Sequence, residues 1–196
     1  MIPRNRQMKR LKLFCFPYAG ASARVYMPWQ KLIGELIQIV PVELAGRGEL
    51  FETPFYDSIN EAVDDLYQRL YAQFQTGDFA FFGHSMGSLI AFQLCCRLMA
   101  LNQKMPIHIF LSGGNAPDTP KLDKKFIHSL SDEEFAAEIL KLGGTPPALF
   151  SDRQLAATFI PILRADYKMF ESYNYNGTSP INAAMTIFHG KDDQLT

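Results

Sequence analysis

The residues best suited to chemistry in this sequence form the run 83–87, which reads GHSMG and matches the pattern Gly-x-Ser-x-Gly. Residues 79–82 before it are apolar and predict a buried strand, while the residues after it suit a helix. Glycines on both sides of Ser85 leave room for a sharp turn, so the serine Oγ can project above the edge of a sheet. The N–H of Met86, at the start of the helix, would then face a developing oxyanion. This context favours a nucleophilic role for Ser85 over the alternative of a serine in an ordinary tight turn.

The composition limits the classes of protein to consider. The 196 residues are 47% hydrophobic and include 16 Phe, which predicts a single domain, 1–196, with a large core. A net charge of −1 without a Lys/Arg run argues against nucleic acid binding, and no apolar run approaches the ~18 residues of a membrane span. Cys15, Cys95 and Cys96 lie in apolar segments and form no C-x-x-C pair, which predicts reduced thiols, no metal site and a cytoplasmic protein.

Strands and helices alternate along most of the chain. Apolar runs predict strands at 11–16, 37–44, 79–82, 107–111 and 183–188. One helical pattern runs through Leu36, and another ends near Leu101. A third begins at a capping box formed by Ser58 and Glu61, and it should end at about Gln75. This order predicts an α/β fold with a mostly parallel sheet, right-handed crossovers and helices on both faces.

A helical insertion interrupts this alternation at about residues 115–180. The segment contains no convincing strand. Two further capping boxes, Ser131 with Glu134 and Ser151 with Gln154, precede helical patterns within it. An insertion between late strands, on the side of their carboxyl ends, would lie above the serine. The pattern therefore predicts a lid over the active site.

Five segments of the sequence carry a resemblance to known proteins: FPYAGA at 16–21, LAGRGE at 44–49, GHSMG at 83–87, KLGGTP at 141–146 and LRADY at 163–167. The order of the predicted elements resembles the α/β-hydrolase fold, and these segments are similar to the type II thioesterases that serve polyketide and non-ribosomal peptide assembly lines. The second segment departs from the usual family sequence, because Ala45 replaces a proline and Leu50 replaces a second arginine. The resemblance extends over residues 11–193.

The resemblance implies a serine thioesterase. Ser85 would be the nucleophile, and the backbone N–H groups of Met86 and Ala19 would form the oxyanion hole. The acid would follow the last strand, where Asp193 fits a Gly-x-x-Asp placement and is favoured over Asp192. The implied substrate is an acyl group on the phosphopantetheine arm of an acyl or peptidyl carrier protein. It would be released through an acyl-serine intermediate, with no cofactor and no metal.

The sequence does not supply the third member of a Ser-Asp-His triad, the histidine that acts as general base. α/β-Hydrolases have the chain order Ser, Asp, His, but no histidine follows Asp193. Ordinary structural roles are favoured by position for all four histidines, His84, His108, His128 and His189. We therefore expect the sequence to be a C-terminally incomplete version of a longer hydrolase, with the base beyond Thr196.

Two alternatives remain open from the residues alone. A chain that kept the acyl pocket but lost the base would be a non-catalytic acyl- or carrier-protein-binding module. An esterase acting on small soluble esters would use the same Ser85 chemistry. A histidine in the C-terminal sequence would favour an enzyme over the binding module, and a comparison of acyl-pantetheine with simple esters would separate the two enzymes.

Overall fold

The computed structural model describes residues 10–119, 126–177 and 180–193, and its centre is a five-stranded sheet. The strands are β1 Leu11–Phe16, β2 Ile37–Pro41, β3 Phe79–His84, β4 His108–Ser112 and β5 Met185–Phe188. They lie in the order β2-β1-β3-β4-β5, and every neighbouring pair is parallel. The predicted parallel sheet is confirmed, so all five strands present their carboxyl ends at one edge.

Helices cover both faces of this sheet. The α-helices in the described ranges are α1 Gln30–Ile33, α2 Ile59–Phe74, α3 Met86–Ala100, α4 Asp132–Leu142, α5 Ala148–Ser151 and α6 Arg153–Ser172. Short 3₁₀ helices span Ala23–Trp29, Gly48–Leu50 and Ile127–Ser129. Buried side chains of α2 and α3 pack on one face, and Tyr26 of the first 3₁₀ helix packs on the other. None of the helices in the described part of the chain is long and apolar enough to cross a membrane.

Alternation along β1 divides the core into two layers. The larger layer contains residues of α2 and α3 and a cluster of phenylalanines from β1 and β3, Phe14, Phe16, Phe79 and Phe81. The smaller layer contains Leu13 and Cys15, which point to the opposite face with Tyr26. Because successive side chains of a strand face opposite ways, one apolar run supplies both layers. The strand is therefore buried on both sides, as expected for a parallel sheet.

Two elements near the start of the chain are shorter than the sequence predicts. The second strand was expected over 37–44 but ends at Pro41, because the Leu44 N–H donates to the Glu43 carboxylate at 3.2 Å instead of to a strand. Val42 and Leu44 are still buried, so the apolar run reflects a buried loop rather than a longer strand. The helical pattern through Leu36 forms only a 3₁₀ turn and the four residues of α1, which end at a glycine with positive φ.

The helix caps follow the sequence in part. Ser58 caps α2 through the Glu61 N–H, but the Glu61 carboxylate accepts from the N–H of Asp57, one residue earlier than in a capping box. The capping box of Ser131 before α4 is confirmed. The predicted box at Ser151 is wrong, because the Asp152 carboxylate accepts from the first N–H groups of α6. A carboxylate next to the helix start is the stronger acceptor of the two and gains from the helix dipole.

The insertion at about 115–180 is helical wherever the structure describes it. Residues 126–177 contain α4, α5, α6 and one 3₁₀ helix, with no strand among them. Phe135 and Ile139 of α4 and Leu163 of α6 form a third apolar cluster, separate from the two layers of the sheet. Ala19, in the loop after β1, packs against both this cluster and the larger layer. The insertion therefore lies against the loop that follows β1.

Candidate active site

Ser85 occupies the turn between β3 and α3 in a conformation that few residues other than glycine adopt. Its φ is 52° and its ψ is −120°, and this positive φ costs on the order of 1–3 kcal/mol for a residue with a Cβ. Two hydrogen bonds hold the turn: the Ser85 N–H donates to Ser112 O at 2.8 Å, and Ser88 Oγ donates to Ser85 O at 2.6 Å. A strained serine fixed between a strand and a helix is the geometry of a nucleophile elbow.

The two glycines of the motif are required by close backbone contacts. A Cβ on Gly83 would lie 2.1 Å from Gly87 O, so β3 and α3 approach too closely for any side chain there. A Cβ on Gly87 would lie 2.2 Å from the backbone oxygen of Phe16, at the end of β1. Neither obstacle is a side chain that could move aside. The spacing of the motif thus follows from three backbones that meet at the serine.

The N-terminus of α3 offers the first candidate oxyanion donor. Met86 is the first residue of this helix and is 1% exposed. The first N–H groups of a helix have no partner within the helix, and the helix dipole places positive charge there. The Met86 N–H therefore suits a negative oxygen formed next to Ser85.

The loop after β1 offers the second candidate donor. Phe16 pairs with Gly83 in the β1–β3 register, so the loop 17–21 begins beside the Ser85 turn. The Ala21 N–H donates to Tyr18 O at 3.0 Å, which closes a turn around Ala19. This turn places the backbone of the predicted donor Ala19 at the same sheet edge as Met86.

A buried ion pair, which the sequence analysis missed, supports that loop. Arg47 contacts Asp166 of α6 through two hydrogen bonds of 2.6 Å, and the two side chains are 4% and 0% exposed. The second oxygen of Asp166 also accepts the Gly20 N–H at 2.7 Å. Both partners belong to segments that resemble the thioesterase family, at 44–49 and 163–167, and this was the available signal.

The predicted acid lies at the same edge of the sheet. In the β4–β5 register Ser112 pairs with Phe188, so the residues after β5 leave the sheet level with the Ser85 turn. The Asp193 N–H donates to Gly190 O at 3.1 Å, which folds residues 190–193 into a turn. Asp193 is half-buried whereas Asp192 is exposed, in keeping with the preference for Asp193.

His84 and His189 are the two histidines at the carboxyl edge of the sheet. The His84 ring lies at 3.1 Å from Ser112 Oγ through Nδ1, and it packs edge to face on Tyr18. His189 follows β5 directly and is exposed. Neither imidazole forms a hydrogen bond with Ser85 Oγ in the described part of the chain.

The other two histidines have structural contacts away from the serine. His108 Nε2 lies 2.8 Å from Thr186 Oγ1, which links β4 to β5. His128 hydrogen-bonds Glu171 and so links the start of the described insertion to the end of α6. These contacts match the structural roles expected for both residues.

The cysteines are unsuited to compete with Ser85 as nucleophiles. All three are free, and Cys15 and Cys95 are buried while Cys96 is half-buried. Desolvation raises the pKa of Cys15 to about 12 and raises the pKa of Cys95 and of Cys96 above the ordinary thiol value. Because the thiolate is the reactive form, these side chains are inert near neutral pH.

Comparisons with known proteins agree on one family. The family model described as "Thioesterase domain" matches residues 11–196. Gramicidin S biosynthesis protein GrsT of Aneurinibacillus migulanus is 33% identical over 184 residues, which are 94% of this chain and 71% of that protein. The crystal structure of ClbQ from the colibactin NRPS/PKS pathway matches this chain with a TM-score of 0.87 at 35% sequence identity. The match covers 93% of this chain and 77% of the ClbQ chain. The type II thioesterase BorB from the borrelidin biosynthetic cluster has a TM-score of 0.81 at 29% identity, over 95% of this chain and 77% of its own.

The resemblance drawn from the five sequence segments is therefore confirmed. The structural similarity also confirms the α/β-hydrolase fold, with its parallel sheet and helices on both faces. The matched region includes the Ser85 turn, the loop after β1 and the insertion. The family match over residues 11–196 and the relatives that are a third identical lead to one conclusion: the chain belongs to the thioesterase family.

Proposed function

We propose that the protein hydrolyses acyl thioesters carried on the phosphopantetheine arm of an acyl or peptidyl carrier protein, as an editing or release step of polyketide or non-ribosomal peptide synthesis. The observation that carries the proposal is the Ser85 turn, held at φ 52° between β3 and α3. The similarity of the chain to proteins named for such pathways supports the substrate class. The free cysteines suit a cytoplasmic enzyme.

In the acylation step Ser85 Oγ attacks the thioester carbonyl carbon. The carbonyl oxygen becomes an oxyanion, which accepts hydrogen bonds from the backbone N–H groups of Met86 and Ala19. Two preorganised donors of this kind stabilise the transition state by several kcal/mol. The tetrahedral intermediate then releases the pantetheine thiol, which takes up a proton, and leaves the acyl group on the serine.

Asp193 orients the base that makes this attack possible. A serine hydroxyl is a weak nucleophile at neutral pH, so an imidazole must take its proton and return it to the leaving thiol. The carboxylate holds that imidazole in the correct tautomer and stabilises its charged form. In the second step the same base activates water, which cleaves the acyl-serine ester.

The insertion acts as the lid that sets acyl specificity. Leu163 and Phe159 of α6 lie against the loop 17–21, at 2.8 and 3.1 Å from the position of a Cβ on Gly20. Apolar side chains of α6 therefore lie beside the proposed oxyanion hole, where the acyl chain would extend from the carbonyl carbon. A lid over this edge excludes water while the acyl-enzyme forms.

Turnover of an acyl-pantetheine thioester by wild type and Ser85→Ala tests the proposal. In the protein expressed from its complete coding sequence, the variant should lose about 10⁶-fold in kcat, as in other serine hydrolases. The matched control is Ser172→Ala, because the Ser172 hydroxyl is exposed and donates within its own helix. Activity on p-nitrophenyl esters alone would support an esterase instead. Carrier-protein binding without turnover by the folded wild type would support a binding module.

A further inference from the structure

Asp166 is a charged side chain that the proposed mechanism does not use, although it lies at the active-site loop. It sits in the middle of α6 and is 0% exposed. Its Oδ2 accepts from the Gly20 N–H at 2.7 Å and from Arg47 Nη1 at 2.6 Å, and its Oδ1 accepts from Arg47 Nη2 at 2.6 Å. The only backbone group among these three donors belongs to the residue that follows the predicted oxyanion donor Ala19.

We propose that Asp166 is a positioning residue, which holds the loop 17–21 so that the Ala19 N–H points at the oxyanion. The proposal rests on the proposed function and deepens it. A peptide unit is planar, so a hydrogen bond to the Gly20 N–H fixes the orientation of the whole Ala19–Gly20 unit. Only the two backbone dihedrals of Ala19 separate that unit from the Ala19 N–H. Fixing one peptide plane therefore restricts the direction of the donor next to it.

Arg47 holds the same loop through a backbone carbonyl, whereas Asp166 holds it through a backbone N–H. Its Nη1 donates to Ala21 O at 3.2 Å, and its Nε donates to Ala45 O at 3.4 Å. The ion pair therefore contacts an N–H at Gly20 and a carbonyl at Ala21, two adjacent residues of the loop. A loop fixed at both kinds of group has little freedom to rotate its peptide units.

The glycine in this loop requires such support. Gly20 has φ +80°, and glycine adopts positive and negative φ about equally, so its own conformational preference does not fix this geometry. Glycine loses more conformational freedom on folding than any other residue, so this loop is costly to order by itself. A charge-assisted hydrogen bond from a buried carboxylate offsets part of that cost and selects one geometry.

Net stability alone does not explain a buried ion pair at this position. Replacement of such pairs by apolar residues of similar volume is often neutral or stabilising, because desolvation of the two charges offsets their attraction. A carboxylate that positions a backbone N–H, in contrast, has no apolar substitute. The geometry therefore assigns the pair to the loop rather than to the core.

The test compares Asp166→Asn with Asp132→Asn. Asp132 forms the matched control because it also pairs with an arginine of α6, Arg164, at 2.6 Å, but it is largely exposed and has no hydrogen bond to the loop 17–21 among the described residues. Asp166→Asn should lower kcat about 10- to 100-fold, less than full removal of an oxyanion donor, with KM changed under about threefold. Asp132→Asn should leave both within about twofold.

Amide hydrogen exchange at Ala21 provides the readout that does not depend on activity. The Ala21 N–H bonds Tyr18 O and not Asp166, so its exchange reports the turn itself and not the deleted contact. We expect about tenfold faster exchange at Ala21 in Asp166→Asn and no change in Asp132→Asn. Unchanged exchange, or a fall in kcat matched by a rise in KM, overturns the positioning role even if Ser85→Ala is inactive.

A second variant keeps the proposal testable if Asp166→Asn does not fold. The double substitution Arg47→Met with Asp166→Leu removes both charges, so neither is left buried alone. It should fold and still show the loss in kcat and the faster Ala21 exchange. A folded double variant with wild-type kcat overturns the proposal. Activity retained by Ser85→Ala would instead overturn the proposed function, so the two failures are distinguishable.

Discussion

Two loops at the carboxyl edge of the sheet would each supply one oxyanion donor, and they are held in different ways. The Ser85 turn is held by groups that lie next to it: Ser112 O accepts its N–H, Ser88 of the adjoining helix donates to its carbonyl, and main-chain atoms leave no room for a Cβ on either glycine of the motif. The loop 17–21 is held by side chains from distant segments, Arg47 and Asp166. The first geometry is set by the sheet and five residues of sequence. The second depends on where α6 of the insertion lies, which would couple the proposed oxyanion hole to the element that should contact the acyl chain.

Outside the Ser85 turn itself, the largest effect is expected in a third loop at this edge, the one after β5. Asp193→Asn should lower kcat about 10⁴-fold, because a neutral amide cannot hold the imidazole in its working tautomer. The exposed neighbour gives the control: Asp192→Asn should change kcat less than about threefold. Steady-state kinetics on an acyl-pantetheine thioester measure both. Reversed effects would assign the acid to Asp192.

Alanine substitutions of glycines compare the two donor loops directly. Gly87→Ala should destabilise the fold by about 3 kcal/mol or more, because the new Cβ would meet Phe16 O at 2.2 Å. Gly20→Ala should cost only about 1–2 kcal/mol, from the positive φ, because the Leu163 methyl at 2.8 Å can shift. Urea unfolding gives both free energies. Equal losses would mean that the loop 17–21 is as rigidly enclosed as the Ser85 turn.

The insertion should open more readily than the sheet beneath it. Helices α4 and α5 bury only Phe135 and Ile139 fully, whereas most of residues 79–90 are buried. We expect opening free energies from hydrogen exchange to be lower in 132–151 than in 79–90 by about 2 kcal/mol or more. Equal protection in the two segments would argue against a lid.

The smallest effect is expected at His189. This residue is exposed after β5, and its imidazole has no hydrogen bond to Ser85 Oγ in the described chain. His189→Ala should therefore leave kcat within about threefold of wild type. A loss of a thousandfold or more in a folded variant would make His189 the general base.

The sequence predicted the Ser85 turn because its determinants lie close together. Each glycine is required by a backbone contact within or beside the motif, and β3 and α3 were readable from their apolar patterns. The parallel sheet and the helical insertion followed from the same patterns. The choice between two neighbouring capping residues was harder to predict, since Asp152 rather than Ser151 caps α6.

Support for the loop 17–21 could not be read in the same way. Arg47 and Asp166 are 119 residues apart, and each looks like an ordinary surface charge in its own segment. Only the packing of α6 on the loop 17–21 makes them partners. The early end of β2 was missed for a similar reason. Val42 and Leu44 are buried in a loop, and an apolar run in the sequence does not distinguish a buried loop from a strand.

Covalent labelling tests directly whether Ser85 is the nucleophile. A fluorophosphonate should react with the Ser85 Oγ, form a tetrahedral adduct in the proposed oxyanion hole and add its mass to one peptide that contains residues 83–87. Tandem mass spectrometry of the folded protein, expressed from its complete coding sequence, locates the adduct. We expect label on Ser85 alone and none in Ser85→Ala. Label on another serine, or no label in a folded sample, would contradict it.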